Sequence, residues 1–199
     1  MHGSRSALAL LALALALALA GCTELPPSET ETTTETETGL ASPVKIVFIT
    51  EERFQGDFGG LEGADQKCQS AAAAIGLTGT FFAWLSDGTG SPSTRFTRSE
   101  IPYVMLDGTL VAYDWDDLVD GTLENPIVEN EKGGITTGHA FTNTTRSGEA
   151  WDLMDCTDWT SNFGPIPGNG YPPNNDETWT EGGRDSNCSD ELHLFCFEQ

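Results

Sequence analysis

Cysteine placement constrains this chain more than any other feature. Cysteine occurs at positions 22, 68, 156, 188 and 196. Cys22 stands apart, because it follows Gly21 and a run from Ala7 to Ala20 made of alanine and leucine alone. The other four form an even set, which in an exported protein reads as a disulfide framework. None belongs to a Cys-x-x-Cys pair, so neither a zinc ribbon nor a thioredoxin-type redox pair is favoured. Four cysteines allow three connectivities, and the patterns around them have to choose.

Residues 1–21 have the form of a signal peptide. Arg5 supplies a short positive region, and the Ala/Leu run is shorter than the ~20 residues of a membrane-spanning helix. A buried Ala/Leu helix would not pass at once into a polar tail. Leu19-Ala20-Gly21-Cys22 resembles the lipobox of bacterial lipoproteins, in which small residues admit the backbone to the signal peptidase and the cysteine thiol takes up diacylglycerol. On that reading Cys22 carries the lipid, and several acyl chains at ~0.8 kcal/mol per buried methylene hold it to the membrane. The alternative is an ordinary secreted chain cut nearby. Thr23 is not aspartate, so the simplest inner-membrane retention signal is missing. The outer membrane is favoured, with its periplasmic and surface faces both open.

Residues 22–43 comprise the lipidated cysteine and a tether of alternating Thr and Glu with Pro26, Pro27 and Pro43. It has almost nothing to bury and reads as a disordered linker. Residues 44–199 read as one α+β domain. Val44–Thr50 is a buried-type strand. Leu61, Ala64, Cys68, Ala71 or Ala72, and Ile75 recur at helical spacing, with Gly76 as the C-terminal cap. Phe81–Ser86 is a further strand. Tyr103–Leu106 and Thr109–Tyr113 flank Asp107-Gly108, a two-residue hairpin signal. A short helix is expected at Trp115–Val119, and beyond Gly121 the chain is loop-rich. Leu192–Phe197 is a final strand with Leu192, Leu194 and Cys196 on one face. Cys68 and Cys196 both face inward, which favours Cys68–Cys196 and leaves Cys156–Cys188 nested inside it.

The order of residues resembles a known family. Gly63-Ala64-Asp65-x-x-Cys68, then Gly76-Leu77-x-Gly79-Thr80-Phe81-x-Ala83-Trp84-Leu85-Ser86, is similar to the core of endostatin, the C-terminal domain of certain collagens. Pro102-x-Val104, Trp115-x-x-Leu118-x-x-Gly121, Cys156-x-x-Trp159, and Cys188 followed after seven residues by Cys196 continue the likeness. A family of uncharacterised bacterial exported domains related to endostatin, often carried on lipoproteins, is more similar still. The resemblance implies a single C-type-lectin-like domain with nested first–fourth and second–third disulfides, and core positions for Trp84, Trp115 and Trp159. It carries over little function. Endostatin's zinc site uses histidines near its N-terminus, and this domain starts without any. Its heparin binding uses arginine clusters, whereas here eight basic residues are scattered among 26 acidic ones.

The net charge of −22 repels nucleic acid, heparin-like polyanions and anionic membrane surfaces. His193, alternating with apolar neighbours, reads as structural, and His139 lies in a loop without a second histidine or cysteine nearby. No Gly-x-Ser-x-Gly elbow marks a hydrolase, although a Ser/His/Asp set stays open. No cofactor is expected; calcium, which needs six to eight oxygens, is the alternative, with Asp152, Asp155, Asp158, Asp176 and Glu177 as the carboxylates that could supply them. Tyr171, Asn174, Asn175, Asp176 and Trp179 form the candidate ligand surface, since aromatics flanked by amides suit a sugar or a peptide; anchoring of that loop to the core is the competing role. The reading that follows is a non-catalytic binding module on a lipoprotein, with a carbohydrate or protein ligand. An extracytoplasmic hydrolase of unrecognised type and a passive envelope component are the alternatives.

Overall fold

The computed structural model describes residues 43–152 and 154–199; Cys22, the leader and the tether up to residue 42 lie outside them. The domain is α+β. Its elements in chain order are β1 (Lys45–Ile49), α1 (Gly60–Ala74), β2 (Phe81–Ala83), α2 (Pro92–Arg95), β3 (Tyr103–Val104), β4 (Leu110–Ala112), α3 (Trp115–Leu118), β5 (Ala140–Phe141), α4 (Cys156–Trp159), β6 (Asn169–Gly170), a 3₁₀ turn (Glu177–Trp179) and β7 (Phe195–Glu198). Five strands form one mixed sheet in the order β2-β7-β1-β3-β4, and β5 pairs with β6.

The C-terminal strand sits inside the sheet. β7 runs antiparallel to both neighbours, with Phe48 opposite Cys196 and Ala83 opposite Cys196 on the other side. Both faces are covered, which explains the near-continuous apolar runs of β1 and β7. Val47, Ile49, Phe195 and Phe197 point to one layer, where they meet Trp84, Trp115 and Trp179. Phe48, Leu194 and Cys196 point to the other, against Leu61, Ala64, Cys68 and Ala72 of α1. The period-2 alternation expected for Leu192, Leu194 and Cys196 is the one observed, although regular pairing starts only at Phe195.

Helix α1 shows why its motif has that form. A side chain at Gly63 would collide with the Phe58 carbonyl, at 1.9 Å from a built Cβ. Asp65 accepts the Ala83 N–H at 2.9 Å and pairs with Arg95, while Gln69 accepts the Phe81 N–H at 3.0 Å. These side chains therefore satisfy the free edge of β2, an edge that would otherwise template pairing with another chain. The helix closes as expected: the Leu77 N–H donates to the Ala72 carbonyl and Gly76, at φ +83°, donates to Ala73, the paired bonds of a Schellman cap. Ile75 departs from expectation; it is 39% exposed because it is the cap residue, where the helical stripe has already ended.

The hairpin is also altered. Gly108 N–H donates to Met105 and Met105 N–H to Thr109, and Gly108 rather than Asp107 takes positive φ. The connection is thus a three-residue turn closed by a glycine bulge, not a two-residue I′ or II′ turn, either of which would need positive φ at the first central residue, Asp107. Asp107 instead accepts the Thr109 N–H at 2.8 Å.

Both disulfides are nested as expected. Cys68–Cys196 ties α1 to β7 across 128 residues of sequence, and Cys156–Cys188 closes 32, with Cα separations of 5.3 and 5.5 Å. They fit a chain that folds where thiols are oxidised. Among the described residues no helix is long and apolar enough to cross a membrane. Replacing Cys68 and Cys196 together by alanine is expected to lower unfolding free energy by about 4–5 kcal/mol on the chain-entropy model; urea denaturation of the oxidised parent and the variant measures it.

Candidate functional site

The loop-rich half is held by hydroxyl and carboxylate hydrogen bonds more than by regular structure. Ser86, Thr142, Thr144 and Thr180 are essentially inaccessible to solvent. The Thr180 hydroxyl accepts the Trp84 indole N–H at 2.7 Å and donates to the Thr144 carbonyl at 3.0 Å. The Thr142 hydroxyl donates to the Thr180 carbonyl at 2.6 Å, and the Ser86 and Thr144 hydroxyls bond at 2.8 Å. This ladder locks the 142–150 segment to the 177–181 segment. Fully satisfied buried networks of this kind rigidify what they join.

Those two segments are the walls of an open groove of about 480 Å³, lined by Thr145, Arg146, Ser147, Glu149, Trp151, Glu177, Thr178 and Glu181. The first wall is a tight turn, with Gly148 donating to Thr145 and Thr145 donating to the Glu149 carbonyl. Glu181 reaches across and accepts the Arg146 backbone N–H at 3.1 Å. Trp151 is partly exposed, whereas Trp84, Trp115, Trp159 and Trp179 are buried. Arg184 lies over the Trp151 ring at 4.6 Å and pairs with Asp152 at 2.6 Å. A second hollow of about 340 Å³ beside Thr50, Phe54 and Lys67 is spanned by the Lys132–Glu51 ion pair.

The expected ligand surface is rearranged. Trp179 is fully buried, with ring centroids 5.0 Å from Trp84 and 5.4 Å from Phe195. It therefore anchors the loop and offers no face to a ligand, a correction to its place in the expected surface. Tyr171 is half-buried against Gly182, where a Cβ would come within 2.6 Å of its ring. Its hydroxyl donates to Asp185 at 3.0 Å, and burial and that carboxylate push the phenol's pKa up. The Asn174 side chain donates to the Thr178 hydroxyl at 2.7 Å and that of Asn175 to the Leu123 carbonyl at 3.2 Å. Asp176 caps the 3₁₀ turn through the Thr178 N–H, which with the Thr178 hydroxyl holds its pKa below the usual carboxylate range. Trp151, outside the expected surface, lies in the groove instead. Its signal was weak: one aromatic after the polar Ser-Gly-Glu turn.

The five calcium candidates are dispersed. Among the described residues no three His, Cys, Asp or Glu side chains gather as a metal site would require. Asp152 is committed to Arg184 and the Met154 N–H, Asp176 to the Thr178 N–H, and Asp158 and Glu177 are exposed. Asp155 accepts the Asp158 N–H at 2.9 Å at the head of α4. That element is unusual, since Cys156, Thr157, Asp158 and Trp159 all have φ between 51° and 59°. Each such non-glycine residue costs roughly 1–2 kcal/mol. The turn is held by the Cys156 disulfide, by Trp159 stacked on Phe58 at 5.4 Å, and by its indole N–H donating to the Ser86 carbonyl at 2.9 Å.

The histidines separate cleanly. His193 is buried and its Nδ1 donates to the Thr50 carbonyl at 2.7 Å, with burial lowering its pKa. His139 meets Ser186 and Asp185, but both approach the same ring nitrogen, at 3.4 and 3.7 Å. A Ser-His-Asp triad needs its serine and aspartate on opposite nitrogens, so this set lacks that geometry.

No family model matches the chain. The collagen alpha-1(XVIII) chain of Homo sapiens is 34% identical over 88 residues. Those residues make up 43% of this chain and 5% of the collagen. The match falls on an endostatin-bearing chain, in keeping with the motifs around Cys68.

Asp155 provides a test of how α4 is held. Its second oxygen is buried without a hydrogen-bond partner, and burial first, then the Asp158 and Asp87 carboxylates, raise its pKa. A carboxyl whose folded pKa is raised takes stability away as pH climbs through the interval between the ordinary and the raised value. Asp155→Asn keeps an acceptor for the cap and removes the charge. It is expected to melt higher than the parent at pH 7, with the difference gone at pH 3, by calorimetry across that range.

Proposed function

We propose that this chain is an exported, lipid-anchored binding module, without catalytic activity, that presents its loop-rich half to a carbohydrate or protein ligand. The groove between the 145–151 and 177–181 segments carries the reading. It combines a partly exposed indole, hydroxyls and charged groups on walls braced from within, the make-up of a preorganised recognition site. The lipobox-like Leu19-Ala20-Gly21-Cys22 supports lipid anchoring at Cys22 and display at the cell envelope, with the outer membrane favoured by Thr23. The resemblance to bacterial exported domains carried on lipoproteins supports the same placement. Calcium is not needed for this reading.

Glycan arrays and pull-downs with purified protein, with and without calcium, test it. Ligand retention is expected in both conditions, with a loss of roughly tenfold or more in affinity for Trp151→Ala, as for a central aromatic anchor. Tyr171→Ala is expected to have the smaller effect. Turnover in a broad hydrolase substrate panel would overturn the non-catalytic reading. For the anchor, Cys22→Ser is expected to leave the membrane fraction.

A further inference from the structure

The groove's lining also specifies the charge of what it takes. Three carboxylates, Glu149, Glu177 and Glu181, line the groove with Trp151 and a single basic residue, Arg146, which forms no ion pair with them. Their internal bonds are few: Ser147 donates to Glu149 at 3.4 Å, and the Arg146 N–H to one oxygen of Glu181. Covering them with a neutral ligand would strip water from carboxylates without compensating their charge, which is costly. A cation removes that penalty. Trp151 already accepts a guanidinium on one face, that of Arg184, which is itself held by Asp152. Arg184 is not part of the groove lining and Trp151 is, so the indole also borders the space among the carboxylates, where the alkyl stem of a long cationic side chain can lie on it. The chain's net charge of −22 draws such a ligand in.

Resting on the binding-module reading above, we infer that the groove binds a lysine or arginine side chain of a basic segment on a protein partner. Its occupant is a peptide cation, docked with its alkyl stem on Trp151 and its charged head among Glu149, Glu177 and Glu181.

Trp151 reports on this directly, because the other four tryptophans are buried. Hexa-arginine and hexa-lysine peptides titrated into the purified full-length protein are expected to shift or quench its emission saturably, and Trp151→Phe to remove the signal. Combined Glu149→Gln, Glu177→Gln and Glu181→Gln is expected to weaken binding by roughly tenfold. A control set with the same charge change at exposed sites away from the groove, Glu52→Gln, Asp116→Asn and Glu124→Gln, is expected to change it less than about twofold at 0.15 M salt, where distant charges are screened. Equal losses in both sets would mean diffuse attraction to an acidic surface and would overturn the inference, as would peptide binding that leaves Trp151 emission unchanged. If the neutral oligosaccharide chitopentaose perturbs Trp151 and the basic peptides do not, the ligand class is wrong while the binding-module reading stands. If neither perturbs it, the inference falls, and the array decides the broader reading.

Discussion

The Cys68–Cys196 bridge and the strand it holds are what the rest of this domain depends on. β7 is the last strand in sequence, yet it lies between β1 and β2 and supplies side chains to both core layers. Until it inserts, β2 has no partner strand and β1 has one on only one side. The disulfide fastens that late strand to α1, which itself satisfies the outer edge of β2 through Asp65 and Gln69. A closed frame of this kind, fixed at both ends of the sequence, leaves the long intervening stretch free to be irregular.

That stretch is irregular but not loose. Its backbone groups are satisfied by turn and cross-loop backbone bonds, supplemented by short polar side chains. Asp87, Asp107, Asp120, Asp152, Asp155 and Asp176 each accept an N–H two or three residues ahead, as aspartate does in turns and caps. The acidic composition therefore has two origins. Many aspartates are structural elements of turns, and the glutamates around Trp151 and on the outer surface are not. Composition alone assigns all of them to a solvated exterior, because it cannot see which carboxylates fold back on their own backbone.

The same polar economy governs the groove. Ser86, Thr142, Thr144 and Thr180 join its walls through hydroxyls with no exposure to solvent. The left-handed α4 turn is held by the second disulfide and Trp159. A recognition surface built this way loses little conformational freedom when a ligand arrives, which is the physical benefit of a rigid support beneath exposed side chains.

Several features were legible in the sequence by itself. Periodicity placed Cys68 and Cys196 inward and so selected the nested bridges, and it gave the helix, its glycine cap and both buried strands. Those are local signals, in which the spacing of apolar residues maps directly onto one face. The turn at Gly108 was not legible there, because the choice between a two- and a three-residue loop rests on the register of the strands it joins. The site was mostly invisible. Tyr171 and Trp179 are eight residues apart and look alike in a polar loop, but one is half-exposed and the other is sealed between Trp84 and Phe195. The calcium carboxylates fall in two short stretches of sequence, yet Asp152, Asp155 and Asp176 each accept an N–H of their own turn while Asp158 and Glu177 are exposed. Trp151 met Glu177 and Glu181 only when a ladder of buried hydroxyls brought two distant loops together. Sequence spacing carries no record of such a contact, so the tertiary structure alone decided where the groove is and what charge surrounds it.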